Sequence, residues 1–302
     1  MDNQCRVLAV PVAVSPERLR GVFTFEAPGP DSRPVSITTG PGSARWVPIE
    51  HMSRHLETGV LISEDWGFYR HDGFDNRAIQ SSIRDNLTKG TFVRGASTLT
   101  MQLAKNLFLQ REKTLSRKLQ EAVLTTMLEQ QFSKSELLEL YFNVVEFGPG
   151  LYGIGPAAQY YFNTTADRLT LAQSLFLTSI LPNPKRDHFD ASGRLHPSWR
   201  EYLTKLMGIA KARGKIDEGE YEGGVREELW FGKSATTTGE EPVAGDGNAG
   251  LTQGDGRSLG ELPIDPLNGL WGAAVLTAGS LLLLGPLTVP AGALAGVLCG
   301  WW

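Results

Sequence analysis

Between residues 46 and 232, apolar side chains return every three or four positions, and Pro, Gly and capping residues cut the pattern at intervals. Such a chain is expected to fold as a succession of short amphipathic helices. Ser97-Thr98 precede a stripe of Leu99, Leu103 and Leu107 at helical spacing. Ser133-Lys134-Ser135-Glu136 has the form of a capping box, in which Ser and Glu each satisfy a backbone donor left open in the first turn. Leu137, Leu140 and Tyr141 then supply that helix's buried face. Residues 171–181 are nearly all apolar and stop at Pro182 and Pro184, predicting a buried helix. Pro197 suits a first helical turn, Leu203, Leu206 and Ala210 continue it, and Gly214 ends it. The Gly-rich stretch 147–155 reads as a loop. The expected fold class is mainly α.

The flanks differ in texture. Residues 1–45 are rich in Val, Pro and Gly, with short apolar runs at 7–10 and 22–25, and read as an extension of short strands and turns. Pro11 and Pro16 interrupt the only apolar stretch near Met1, so no signal peptide is expected there. Residues 233–265 carry six acids against two basic residues without periodicity, the texture of a flexible linker. Residues 266–302 hold no charged side chain, and that run exceeds the roughly 20 residues that cross a bilayer core. Pro286 and Pro290 make it a kinked span or a shallow hairpin, and Gly292, Gly296 and Gly300 stand at the spacing that lets membrane helices approach. Membrane attachment is the expectation. With 29 Lys and Arg against 33 Asp and Glu, the chain gives no global reason to bind nucleic acid. Its two cysteines, Cys5 and Cys299, exclude a disulfide scaffold and a cysteine zinc cluster.

Chemistry concentrates in three places. Residues 89–118 hold Lys89, Arg94, Lys105, Arg111, Lys113, Arg117 and Lys118 against the single acid Glu112. A cationic patch beside helix starts suits a phosphate-bearing ligand, although the same run also reads as a solvated helix face. Glu64-Asp65 follow Val60-Leu61-Ile62 and precede Phe68-Tyr69. A carboxylate against apolar walls can be made basic enough for proton abstraction, while the plainer reading is a helix-end acid. Glu121 follows Arg117 by four residues and Lys118 by three, so a helix puts all three on one face, as catalytic machinery or as an ordinary ion pair. His51 and His55 lack a third ligand, so no metal site is expected. His71 stands close enough to Glu64-Asp65 to orient that loop.

Taken in order, these segments resemble the motifs of family 51 glycosyltransferases, the peptidoglycan polymerases. Residues 64–73, Glu-Asp-Trp-Gly-Phe-Tyr-Arg-His-Asp-Gly, resemble the signature E-D-x-x-F-x-x-H-x-G. Residues 94–106 are similar to R-G-G-S-T-[IL]-T-Q-Q-L-x-K-N, and residues 117–121 to R-K-x-x-E. Residues 138–143 with 157–162 resemble the fourth motif, and 169–184 the fifth. The resemblance runs from about 46 to 231 and implies a lysozyme-like helical glycosyltransferase domain at 46–232. It implies polymerisation of lipid II into β-1,4-linked glycan with inversion and release of undecaprenyl pyrophosphate. Glu64 and Glu121 would be catalytic, Glu64 as the base that deprotonates the acceptor 4-hydroxyl and Glu121 assisting the leaving group. Lys105, Arg117 and Lys118, with Arg94, Ser97, Thr98, Gln102 and Asn106, would bind substrate and pyrophosphate; Asp65, Phe68 and His71 would shape the cleft.

No cofactor is required on this reading, and the sequence does not determine whether a divalent cation stimulates the reaction. The partners implied are lipid II, the growing glycan, the membrane and other cell-wall synthesis proteins, with the domain on the extracytoplasmic face of a bacterial cell membrane. The absence of Ser-x-x-Lys, Ser-Asp-Asn and Lys-Thr-Gly makes a monofunctional enzyme the expectation. Basic residues stop at Arg257, which by the positive-inside rule would instead leave the domain in the cytoplasm, a conflict that an anchor upstream of Met1 would resolve. Three positions depart from the family pattern. Ala96 replaces a Gly and would be strained if a positive backbone angle were needed; Met101 replaces a Gln; Gln173 replaces a Glu. The competing readings are a lysozyme-like lytic enzyme and a catalytically weak, membrane-attached lipid II binder or scaffold.

Overall fold

The computed structural model describes residues 15–29, 33–91, 95–109 and 115–233. The apolar tail at 266–302, all of the linker beyond Lys233, both cysteines, the apolar run at 7–10, Arg94, Arg111 and Lys113 lie outside the described residues. Among the described residues the chain divides into two compact units, one formed by 15–78 with 96–233 and the other by 79–95.

The second unit is the greater part of helix α2 (Asn76–Lys89), held by bonds of its own such as Thr88 Oγ1 to the Arg84 carbonyl at 2.8 Å. The first unit opens with an antiparallel hairpin, β1 (Phe23–Pro28) and β2 (Pro34–Thr39), in the register Phe23 opposite Thr39 to Pro28 opposite Pro34. Alternation along β1 buries Phe23, Phe25 and Ala27, and these side chains belong to the same apolar cluster as the helices. Phe23 meets Trp46 edge-on at 6.5 Å and Phe25 meets Tyr152 at 6.2 Å. Just upstream, Arg20 lies over the Phe132 ring and bonds Glu136 at 2.9 Å. The strands expected in the amino-terminal extension therefore exist at 23–39, and their buried face is part of the helical core.

The helices follow the sequence signals closely. In chain order they are α1 (Arg54–Ser63), α2, α3 (Leu99–Phe108), α4 (Leu115–Gln131), α5 (Lys134–Val144), α6 (Ile154–Phe162), α7 (Leu171–Ser179), α8 (Pro197–Ala212) and α9 (Glu218–Arg226). The capping box at Ser133 and Glu136 is formed in full. Pro197 opens α8, and Gly214 follows its end at φ 66°. Every residue of α7 is buried, as its apolar composition requires. Helices α1, α8 and α9 pack around α7, and α3 packs between α4 and α5.

One expectation is corrected. The Gly-rich stretch 147–155 is not simply a loop: β3 (Glu146–Gly148) pairs with β4 (Leu151–Tyr152), and Gly155 already lies in α6. Gly150 at φ 73° and Gly153 at φ 87° supply the two turns, conformations that side chains with a Cβ resist. Ala96, by contrast, carries no strain, because Asn163 is the only non-glycine residue with positive φ among the described residues.

The contact of α1 with α7 is close because Gly59 faces Thr178. A Cβ at Gly59 would fall inside van der Waals distance of Thr178 Oγ1 and 3.1 Å from Leu175 Cδ2. Thr178 cannot easily yield, since its hydroxyl bonds the Ser174 carbonyl at 3.0 Å. Gly59→Ala is expected to destabilise the protein by about 1–3 kcal/mol despite alanine's better helix propensity. Thermal unfolding checks this, and adding Thr178→Ala should recover part of the loss.

Candidate active site

Helix α1 stops at the first of two adjacent acids. Leu56, Val60 and Leu61 are buried against the core, and Glu64 is the C-cap, its N–H donating to the Val60 carbonyl at 2.9 Å. Glu64 and Asp65 follow the helix directly, yet the structure uses them differently.

Asp65 is buried and acts as a tie. Its carboxylate faces His71 Nε2 at 3.0 and 3.1 Å and accepts the Leu99 N–H at 3.1 Å, the first residue of α3. A carboxylate at a helix N-terminus meets both open N–H groups and the positive end of the helix dipole. Thr98 completes the junction, donating to the Gly73 carbonyl at 2.7 Å and accepting the Met101 N–H at 3.2 Å. Phe68 is fully buried, with the Lys134 ammonium 4.5 Å from its ring centre. Asp65, Phe68 and His71 thus brace the end of α1 against the start of α3.

Glu64 stands over the next turn of α3. Its Oε2 accepts from Gln102 Nε2 at 2.9 Å, and Gln102 Oε1 accepts from the Tyr141 hydroxyl at 3.0 Å. This relay fixes the amide's orientation, because Tyr141 is fully buried and burial, with the charges of Glu64 and Asp65, raises its hydroxyl far above the usual range. Tyr141 therefore stays a donor. Glu64 Oε1 is buried and has no hydrogen-bond partner among the described residues. Burial pushes the Glu64 carboxyl above the ordinary carboxylate range; the Gln102 bond and the Lys105 charge oppose this, and Asp65 adds to it. A substrate hydroxyl would be met by turning the carboxylate about its broad terminal torsion.

A second carboxylate is built on α4. Glu121 is 3% exposed, forms an ion pair with Lys118 through Oε1, and has Arg117 Nη1 3.8 Å from Oε2. Two cations against one carboxylate leave this cluster net positive, the charge balance a phosphate-bearing ligand requires. The structure thus brings Gln102, Lys105 and Asp65 to Glu64, His71 to Asp65, and Arg117 and Lys118 to Glu121, while Thr98 bonds backbone groups at the start of α3. Ser97 is exposed just before α3, and Asn106 is half-buried one turn beyond Gln102. The Thr98 hydroxyl is committed to backbone partners. Among the described residues, no group of three or more His, Cys, Asp or Glu side chains is set to hold a metal. Sequence reasoning placed Tyr141 only on a buried helix face; its contact with Gln102 had no local signal, since the two lie 39 residues apart.

Because the native site raises the Glu64 pKa, the folded state holds that proton more tightly than the unfolded chain. Stability then falls as pH rises from the unfolded value through the folded one. Glu64→Gln removes the buried charge and keeps an acceptor for Gln102, so its Tm is expected to exceed that of the wild type at neutral pH. The difference should shrink at pH below about 4, where both carry a neutral side chain. Melting curves across pH check both parts.

Residues 32–207, which contain both carboxylate clusters, match the family model described as Transglycosylase. The chain is 45% identical over 163 residues to the biosynthetic peptidoglycan transglycosylase of Nitrosomonas eutropha, covering 54% of this chain and 67% of that protein. It is 48% identical over 145 residues to the protein of the same name from Paraburkholderia xenovorans, covering 48% and 60% respectively. With that of Aromatoleum aromaticum it shares 47% over 162 residues, 54% of this chain and 70% of the relative. The match therefore spans about three-fifths to seven-tenths of these relatives' length. With more than half of its length matched by the family model, the chain belongs to the transglycosylase family.

Proposed function

We propose that this protein is a peptidoglycan glycosyltransferase that polymerises lipid II. The observation that carries the reading is Glu64, a carboxylate withdrawn from water, oriented by the Gln102–Tyr141 relay and adjusted by the Lys105 charge. A base of raised pKa can take a proton from a sugar hydroxyl at neutral pH. In the proposed step Glu64 accepts the proton of the acceptor 4-hydroxyl as that oxygen bonds the donor's anomeric carbon. The bond from that carbon to the pyrophosphate breaks with inversion, and undecaprenyl pyrophosphate leaves with the electron pair. Lys105, Arg117 and Lys118 meet the charge that develops there, and Glu121 keeps the last two in position. The step uses no cofactor. Ser97 and Asn106 would contact the substrate from α3 and the residues before it.

Peptidoglycan synthesis implies a place in the cell envelope. Among the described residues no helix is long and apolar enough to cross a membrane. Attachment is assigned in this proposal to the apolar run at 266–302, with the catalytic domain on the extracytoplasmic face, where other cell-wall synthesis proteins would be its neighbours.

The test is lipid II polymerisation by the purified full chain in detergent. Wild type should make glycan chains, and Glu64→Gln should lose about 10²- to 10⁴-fold in rate. Binding of lipid II without chain formation by wild type would overturn the proposal in favour of a scaffold. The rate should fall as pH drops through the Glu64 pKa, because only the ionised form is a base. Lys105→Gln removes a charge that holds that pKa down, so its acid limb should move to higher pH, as rates measured across pH would show.

A further inference from the structure

Three cations gather on one indole just past the Glu64–Asp65 pair. The Arg213 guanidinium carbon lies 3.9 Å from the centre of the Trp66 ring, and the charged groups of Arg70 and Lys215 each lie 6.0 Å from it. Arg70 closes the short turn Phe68–Arg70, and its Nη2 also donates to the Trp66 carbonyl at 3.3 Å. Arg213 is the C-cap of α8, and Lys215 follows it by two residues. The three basic residues are exposed and Trp66 is half-buried.

Like charges repel, so their meeting needs a cause. Cations suit the carbonyl end of α8, which accounts for Arg213 and Lys215 but not for Arg70, brought there from the turn after α1. An indole attracts a cation through its quadrupole and neutralises none of its charge. None of the three has a carboxylate partner among the described residues, although acids stand close by in sequence. Those acids are engaged elsewhere. Asp217 caps α9, Glu218 pairs with Lys211 at 2.5 Å, and Glu220 pairs with Arg54. Further back along α8 the cations do find acids, Arg200 with Glu228 at 3.3 Å and Lys205 with Glu201 at 2.7 Å.

The cluster also lies outside what the family shares. Trp66 and Arg70 occupy unspecified positions of E-D-x-x-F-x-x-H-x-G, and Arg213 and Lys215 come after residue 207, where the family match ends. The cations assigned above to the leaving group, Lys105, Arg117 and Lys118, belong to α3 and α4. A ligand that answers three cations at once needs several acceptor oxygens. A carboxylate is filled by one Arg fork, whereas a phosphate group can be met by Arg and Lys together.

We propose that Arg70, Arg213 and Lys215, assembled on Trp66, bind a phosphate group other than the one released in glycosyl transfer. The inference does not depend on the polymerase reading. Two sources share this chemistry, the headgroup of an anionic phospholipid and a soluble phosphate ester.

The experiment uses the full chain labelled with fluorotryptophan in micelles of a neutral detergent. Trp66→Phe identifies the Trp66 fluorine resonance among those of the seven indoles. The probes are glycerol phosphate in solution and phosphatidylglycerol added to the micelles, with sodium chloride at equal ionic strength as control. At least one probe should shift the Trp66 resonance saturably by millimolar concentration. Arg213→Gln with Lys215→Gln should weaken that response about thirtyfold, and either change alone about fivefold. Lys105→Gln should leave it in place. Both Arg213 and Lys215 are exposed, so their variants should fold as wild type, which melting curves verify. A response to phosphatidylglycerol alone assigns the lipid headgroup, and a response to glycerol phosphate assigns the soluble ester; each supports the site. No shift with either probe, a shift matched by sodium chloride, one unchanged in the Arg213 and Lys215 variants, or one lost in Lys105→Gln overturns it. Polymerisation of lipid II without a phosphate response at Trp66 would discard this site and keep the polymerase, and the opposite pair of results would do the reverse.

Discussion

The structure depends on how the Asp65 carboxylate is used. By taking the first N–H of α3 and His71 at once, it fixes where α3 begins relative to the end of α1. Three residues after Leu99, and so close to one turn further on, α3 presents Gln102, and that register alone brings the amide to Glu64. Moving the start of α3 by one residue would rotate Gln102 by about 100° and strand a buried carboxylate. The neighbouring acids therefore divide the work. Asp65 gives its oxygens to structure, whereas Glu64 keeps one oxygen without a hydrogen-bond partner among the described residues.

The same economy separates Glu64 from Glu121. Both are withdrawn from water, but Glu121 is met by Lys118 and Arg117 and Glu64 by a neutral amide. Burying a charge is tolerable when it is paired, whereas a carboxylate given one hydrogen bond keeps its affinity for a proton. One acid is thereby suited to accept a proton and the other to hold cations in place. Glu129, third in this region, is fully structural: it accepts from Thr100 at 2.5 Å and pairs with Lys134 at 2.7 Å, joining α3 to α5 through α4.

Much of this was legible from the chain, because helices announce themselves locally. The stripe at Leu99, the box at Ser133 and the stop at Gly214 each depend on neighbours within a few residues and stand where the spacing put them, while the helix expected over 171–181 ends earlier, at Ser179. Glu121 with Arg117 and Lys118 was legible for the same reason. What escaped was set by contacts between distant segments. The hairpin at 146–152 needs a pairing that periodicity does not encode in so short a run, and its glycines read equally well as a loop. Tyr141 and Tyr202 read as ordinary helix residues; only the fold carries one to Gln102 and brings the other within reach of the Glu64 charge.

The three departures from the family pattern show how much of a motif is geometry. Ala96 occupies a backbone conformation open to any L-residue, so the missing glycine costs no strain. Met101 is 6% exposed, so an amide there would have to find a partner away from water. Gln173 completes the capping box of α7 as a glutamate would, accepting the Thr170 N–H at 3.1 Å. Here the neutral side chain has an advantage. The Thr170 hydroxyl donates to Glu227 at 2.8 Å, and burial already raises the Glu227 carboxyl above the usual range. A second carboxylate on the same threonine would add like-charge repulsion at a site where, among the described residues, no cation is bonded to either group. The substitution keeps the cap and spares the charge.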